Sequence, residues 1–150
     1  MADVLSKQDV QDVLEVIKQL YLEDRIPWIC GYSGGKDSTA IVQLVWMALR
    51  QIPKEKRVKT VHVISTDTMV ESPVVAVWSS QSLKKMAEAA AAEDLPIIPH
   101  RLTPEIRNTY WVQVIGRGYP YPRQNFRWCT DRMKIAPANN FIKEILDAES

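Results

Sequence analysis

Apolar residues in this chain recur at helical spacing, bunch into a short run, and then recur again. Val10, Val13, Leu14, Ile17, Leu20 and Tyr21 lie three and four residues apart, the period of an amphipathic helix. The short run 26–30 (Ile-Pro-Trp-Ile-Cys) reads as a strand. Ile41, Val42, Leu44, Val45, Met47, Ala48 and Leu49 then cover nearly the whole circumference of a second helix, a pattern that predicts packing on most sides. Pro53 and the charges between Lys54 and Lys59 end it. Val61-His62-Val63-Ile64 reads as a buried strand, closed by Ser65-Thr66-Asp67-Thr68. Pro73 suits a helix start, and residues 74–93 are rich in Ala, Lys and Glu without a breaker. Residues 96–102 form a weaker strand, with Pro96 and Pro99 at the ends of its apolar core.

Helix and strand alternate three times in this reading. Alternation of that kind implies right-handed crossovers and an α/β fold with a parallel sheet and helices on both faces. Beyond Pro104 the pattern loosens. Residues 106–115 could be a helix and 116–125 a loop. The final helix is expected to start at Pro137 and to bury Phe141, Ile142, Ile145 and Leu146. Three strands are few for this architecture, so the chain is expected to be the front part of a longer protein.

Composition narrows the class. Of 150 residues, 46% are hydrophobic and 25% charged, as in one globular domain that needs no covalent staple. Cys30 and Cys129 are far apart and make no disulfide framework, which points to a reducing, cytoplasmic compartment. The N-terminus is polar and acidic, unlike a secretory signal. The longest apolar stretch falls well short of the roughly 20 residues of a membrane span. Net charge is +1, so no global attraction to nucleic acid is expected. Locally, however, Arg117, Arg123, Arg127, Arg132 and Lys134 stand against the single acid Asp131. Such a patch could hold phosphate or be a solvated face, and composition does not choose.

The most informative segment is Ser33-Gly34-Gly35-Lys36-Asp37-Ser38, between the first strand and the second helix. Backbone N–H groups at a helix start have no intrahelical partner and carry the positive end of the dipole. Two glycines let that backbone close around an anion, and Ser33, Ser38 and Thr39 add hydroxyl donors. The spacing is not that of the common P-loop, because Gly31 and Gly35 are separated by three residues and Asp37 follows Lys36. Adjacent glycines likewise rule out the dinucleotide pattern. An ordinary strand-to-helix turn is the plain alternative. The position at the C-terminal end of the first strand, where open sheets of this class bind ligands, argues against it.

This segment resembles the pyrophosphate loop, Ser-Gly-Gly-x-Asp-Ser, of the ATP pyrophosphatase (PP-loop) superfamily. Ser65-Thr66-Asp67-Thr68 and the run from Cys129-Thr-Asp-Arg through Lys134 to Pro137 resemble the phosphoadenylylsulfate reductase branch. Gly116-Arg-Gly-Tyr-Pro-Tyr-Pro-Arg-Gln-Asn-Phe-Arg-Trp-Cys129-Thr is similar to the DndC sulfurtransferases of DNA phosphorothioation. The resemblance covers residues 28–142. It departs from the reductases in three ways. Thr68 is followed by Met69 where they have glycine, Trp128-Cys129 replaces a cysteine pair, and no C-terminal reactive cysteine is present.

The resemblance implies an adenine nucleotide alpha hydrolase-like fold, with an N-terminal helix over 1–25 and a nucleotide-binding domain over 26–150 that stops short of further strands. It implies an ATP-dependent sulfurtransferase that adenylates a DNA backbone phosphate oxygen, releasing AMP and pyrophosphate, with ATP and Mg²⁺ bound. In that reading Gly34, Gly35 and Lys36 amides and Ser33, Ser38 and Thr39 hydroxyls hold the β- and γ-phosphates. Lys36 adds charge to the leaving pyrophosphate, and Asp37 braces the loop or holds the metal. Ser65, Thr66 and Asp67 reach ribose or adenine. Arg123, Arg127, Arg132 and Lys134 face the DNA phosphate. Tyr119, Tyr121, Phe126 and Trp128 could stack on bases, although packing down their own loop is the ordinary role. Cys129 could carry a persulfide, ligate a [4Fe–4S] cluster or be a small buried hydrophobe. A cluster would need cysteines outside this chain. The implied partners are DNA, a cysteine desulfurase as sulfur donor and other phosphorothioation proteins, with no membrane. A sulfonucleotide reductase and a non-catalytic nucleotide-binding subunit are the competing readings. His62 and His100 are expected to pack in strands.

Overall fold

The computed structural model describes residues 6–148, which fall into two compact units. One contains residues 6–63 and 85–99, the other 64–84 and 100–148. Three strands, β1 (Trp28–Gly31), β2 (Val61–Thr66) and β3 (Ile97–Leu102), form one sheet in the order β1-β2-β3. The Trp28 amide donates to Thr60 O at 2.9 Å and the Val61 amide to Pro96 O at 2.8 Å, so strand starts lie beside strand starts. The Asp67 amide donates to Leu102 O at 2.8 Å where two strands end. The sheet is therefore parallel, and helices flank it, as the alternating pattern requires.

In the first unit, α1 (Lys7–Glu23) opens with a capping box: the Asp9 amide donates to Ser6 Oγ and the Ser6 amide to the Asp9 carboxylate. It packs on α2 (Lys36–Gln51). Only the stripe Val42, Val45, Ala48 and Leu49 of α2 is buried, whereas Ile41 is 54% and Met47 37% exposed. The expectation of a helix packed on most sides is corrected to a one-faced helix, because α1 and the strand cover one side of it. Lys59, one of the charged residues that follow α2, is 2% exposed. Its Nζ donates to Leu20 O at 3.2 Å and to Asp24 Oδ1 at 2.7 Å, beneath the Tyr21 and Trp28 rings.

The helix α3 (Pro73–Ala92) starts at its proline and ends in a Schellman motif. The Leu95 amide donates to Ala90 O and the Asp94 amide to Ala91 O, with Asp94 left-handed at φ 52°.

In the second unit, the expected helix over 106–115 is two short pieces, a 3-10 turn at Ile106–Asn108 and a π turn at Val112–Gly116. Helical backbone resumes at α4 (Trp128–Thr130), continues through a π turn at Asp131–Ile135 and becomes α5 (Ala136–Ala148). Pro137 therefore does not start the final helix. Proline removes one N–H and crowds the carbonyl four residues back, and a wider π turn precedes it here, with the Ala136 amide reaching Asp131 O. No residue of α5 is buried; Phe141, Ile142 and Ile145 are half-buried and Leu146 is exposed. The expected burial of that face is corrected accordingly. His62 is buried in β2, and the His100 ring lies 4.5 Å from that of Phe141. No helix among the described residues is long and apolar enough to cross a membrane.

Candidate functional site

The Ser33–Thr39 segment leaves β1 and turns into α2 through a short network of its own groups. Gly34 has φ 75°, a left-handed backbone that glycine adopts without the Cβ penalty. Gly35 is the N-cap of α2, and no side chain caps the helix there. The first intrahelical bond runs from the Thr39 amide to Gly35 O at 3.0 Å. Helix geometry therefore leaves the Lys36, Asp37 and Ser38 amides without intrahelical partners. Ser38 Oγ accepts the Ser33 amide at 3.2 Å, donates to Gly35 O at 3.1 Å and lies 3.1 Å from Ser33 Oγ. The Gly35 amide points to Ser33 Oγ at 3.4 Å. Lys36, Asp37 and Thr39 are exposed, so the turn that carries these amides also bears a cation, a carboxylate and a hydroxyl open to solvent.

The corner after β2 belongs to the second unit. Ser65 is buried, while Thr66 and Asp67 are half-buried and so keep some surface open to solvent. Asp67 is held by an Arg101 ion pair and by the Met69 amide, which donates to its Oδ1 at 2.8 Å. Burial raises the Asp67 pKa, but the Arg101 hydrogen bond, the Met69 amide and the Arg101 charge together hold it below the usual value. Arg101 was not expected from sequence; its partner lies 34 residues away. Met69 is left-handed at φ 61°, the backbone that a glycine favours.

The basic residues of the 117–134 segment have different surroundings. Arg123 and Phe126 exchange backbone bonds at 3.0 and 2.9 Å in a tight turn, and Arg127 Nε donates to Gln124 O at 3.1 Å. Arg123, Arg127 and Lys134 are exposed. Arg132 is half-buried and held by Gln113 Oε1 at 2.6 Å and Tyr119 OH at 2.8 Å. The aromatic residues pack on one another. Tyr119 stacks on Phe126, Tyr110 stacks on Trp128, and Trp128 Nε1 donates to Pro120 O at 3.0 Å. Tyr121 and Phe126 keep exposed area.

Both cysteines are half-buried free thiols, and burial raises the Cys30 pKa. A [4Fe–4S] cluster takes about four thiolates. The chain has two cysteines, and no group of three or more metal-ligating side chains occurs among the described residues, so these residues do not complete a cluster. Mg²⁺ makes smaller demands. It keeps several waters and takes one or two carboxylates plus substrate phosphates, a set the exposed Asp37 beside the free amides can contribute to.

No family model matches the chain. It is 28% identical over 134 residues to an uncharacterized protein, MJ0066, of Methanocaldococcus jannaschii. The match covers 89% of this chain and 23% of that protein, so the chain spans under a quarter of its relative's length.

Proposed function

We propose that this chain carries the nucleotide site of a PP-loop ATP pyrophosphatase, of the kind that serves sulfur transfer to DNA. The observation that carries the reading is the loop at the end of β1. A left-handed Gly34, an uncapped start of α2 and paired serine hydroxyls leave three adjacent amides beside an exposed lysine. Oriented donors of this sort need no reorganisation as charge builds on a leaving group. An acceptor phosphate oxygen attacks the α-phosphorus of ATP, and the bond to the α–β bridging oxygen breaks. Pyrophosphate leaves with the electron pair, its charge met by the amides of residues 36–38 and by the Lys36 ammonium. Mg²⁺ would supply further charge neutralisation on the phosphates. Ser33 and Ser38 position the loop. Sulfur delivery by a cysteine desulfurase, and work on DNA alongside other phosphorothioation proteins, belong to this proposal. Any iron–sulfur cluster using Cys129 would draw on thiolates from elsewhere.

ATP binding to this chain, followed by pyrophosphate release with and without DNA, tests it. Lys36→Ala is expected to weaken ATP binding about tenfold or more, as loss of a charge-assisted contact does. Unchanged binding in a folded variant overturns the loop assignment. Binding without release points to a nucleotide-binding subunit, and sulfonucleotide reduction without release points to a reductase.

A further inference from the structure

Valine and tryptophan are indifferent helix formers, and a helix that carries them gains only when something packs on them. The first turns of α3 hold Val74, Val75, Val77 and Trp78, and all four are exposed, Val74 at 79% and Trp78 at 49%. Helix periodicity separates two faces here. Ala76, Ser79 and Leu83 lie three and four residues apart on the inner side, where Leu83 is buried. Val74, Val77, Trp78 and Gln81 have the same spacing on the opposite side. With Pro73 they line an open groove of about 440 Å³, and Val70 is exposed just before the helix starts.

The charges around this stripe favour a second copy of the chain as its occupant. No charged residue occurs between Glu71 and Lys84, so the centre calls for an apolar, uncharged counterpart. Glu71 and Lys84 stand six residues to either side of the Val77–Trp78 pair. When two α3 helices pair antiparallel about a two-fold axis through that pair, residue 71 of each copy faces residue 84 of the other. Acid then meets base at both ends, whereas a parallel pairing sets like against like. The shape is self-complementary as well. Trp78 lines the groove and also offers the indole that fills the other copy's groove, where Gln81 supplies the acceptor that a covered indole N–H requires. The exposed parts of Val70, Val74, Val77 and Trp78 come to about 400 Å² per copy, so a pair with its polar rim covers on the order of 1,200 Å², the lower end of specific interfaces.

We propose that the N-terminal half of α3 is a self-association surface, on which a second copy of this chain docks antiparallel through Val74, Val77 and Trp78. Its modest area makes the dimer reversible, with micromolar affinity, rather than obligate. The surface uses no residue of the 33–39 loop, and the proposal stands whether or not that loop binds ATP.

The test is sedimentation velocity of the full chain across the micromolar range, where the sedimentation coefficient is expected to rise with concentration from the monomer value to the dimer value. Trp78→Glu, at the centre of the stripe, should weaken association about a hundredfold. Glu71→Lys sets two cations together at each end and should weaken it about tenfold, and adding Lys84→Glu should restore it. The charge pair alters no apolar side chain, so it keeps the test independent of folding, and circular dichroism of the dilute variants checks that they remain helical. A chain that stays monomeric throughout overturns the proposal. So does a monomer that co-sediments with phosphatidylcholine vesicles, because the face would then serve a lipid surface. Dimerisation indifferent both to Trp78→Glu and to the charge reversals overturns it too, because another face would then join the copies.

Discussion

The hydroxyl of Ser38 lies 3.1 Å from that of Ser33 and accepts the Ser33 amide at 3.2 Å, closing the loop across five residues. Its bond to Gly35 O makes Ser38 the centre of the network. Ser38→Ala removes all of these contacts at once from an exposed segment. The expected cost in stability is about 1 kcal/mol, since exposed groups regain water. ATP affinity is expected to fall more, about tenfold, because the amides lose their fixed direction. Chemical denaturation and calorimetric titration read the two effects separately. A stability loss with unchanged affinity would remove Ser38 from the site.

The two glycines of the loop are predicted to fail differently. Gly34 is left-handed, so Gly34→Ala should cost about 1–2 kcal/mol of stability. Gly35 has φ −75° and ψ 165°, which any residue adopts, and an added Cβ would stand 3.4 Å from Ser33 Oγ. Gly35→Ala should therefore leave the melting temperature nearly unchanged while crowding the Ser33 hydroxyl and weakening ATP binding. Equal melting shifts for the two variants would contradict the assigned backbone.

What could be read in the sequence is local, and what could not is long-range. Ser33 to Thr39 is a contiguous stretch whose glycines and hydroxyls act on their own backbone, and the strands around it follow from short apolar runs. The burial of Lys59 was not legible, because its partners, Leu20 and Asp24, come from the preceding helix and its end. Asp67 with Arg101, and Arg132 with Gln113, are pairs that only the tertiary fold creates. Pro137 misled for a different reason. Proline is common in a helix's first turn, and sequence does not show that a π turn already precedes it. In α5 the apolar spacing was right for a helix, but spacing does not say what covers the face.

Asp24 carries a pH signature. Its hydrogen bond from Lys59, then the Ile26 amide, hold its pKa below the ordinary aspartate value against a smaller desolvation effect. A depressed folded-state pKa contributes stability that is present above the unfolded pKa and lost as pH falls through the folded one. Denaturation midpoints measured from neutral to acid pH should thus fall less steeply for Asp24→Asn than for the natural protein. The same variant should be less stable at neutral pH, because the buried Lys59 ammonium keeps Leu20 O but loses its counter-charge. Parallel acid limbs would show that Asp24 does not titrate with folding.

Met69 holds a left-handed backbone at φ 61° while its side chain is exposed, so little packing offsets the conformational cost. What fixes the turn is its amide, which donates to Asp67 Oδ1, and a glycine retains that bond. Relief of the left-handed penalty is worth about 1–2 kcal/mol, and the extra freedom of glycine in the unfolded chain takes back about 0.5–1. Met69→Gly is therefore expected to stabilise the protein by about 0.5–1 kcal/mol. Asp94→Gly, at the other left-handed non-glycine position among the described residues, should behave alike, because the Lys54 pair it forfeits is exposed and contributes little. If Asp94→Gly stabilises and Met69→Gly does not, the Met69 side chain makes a contact of its own. Nucleotide affinity would then be the quantity to compare between Met69→Gly and the natural chain, since Met69 directly follows the Asp67–Thr68 corner.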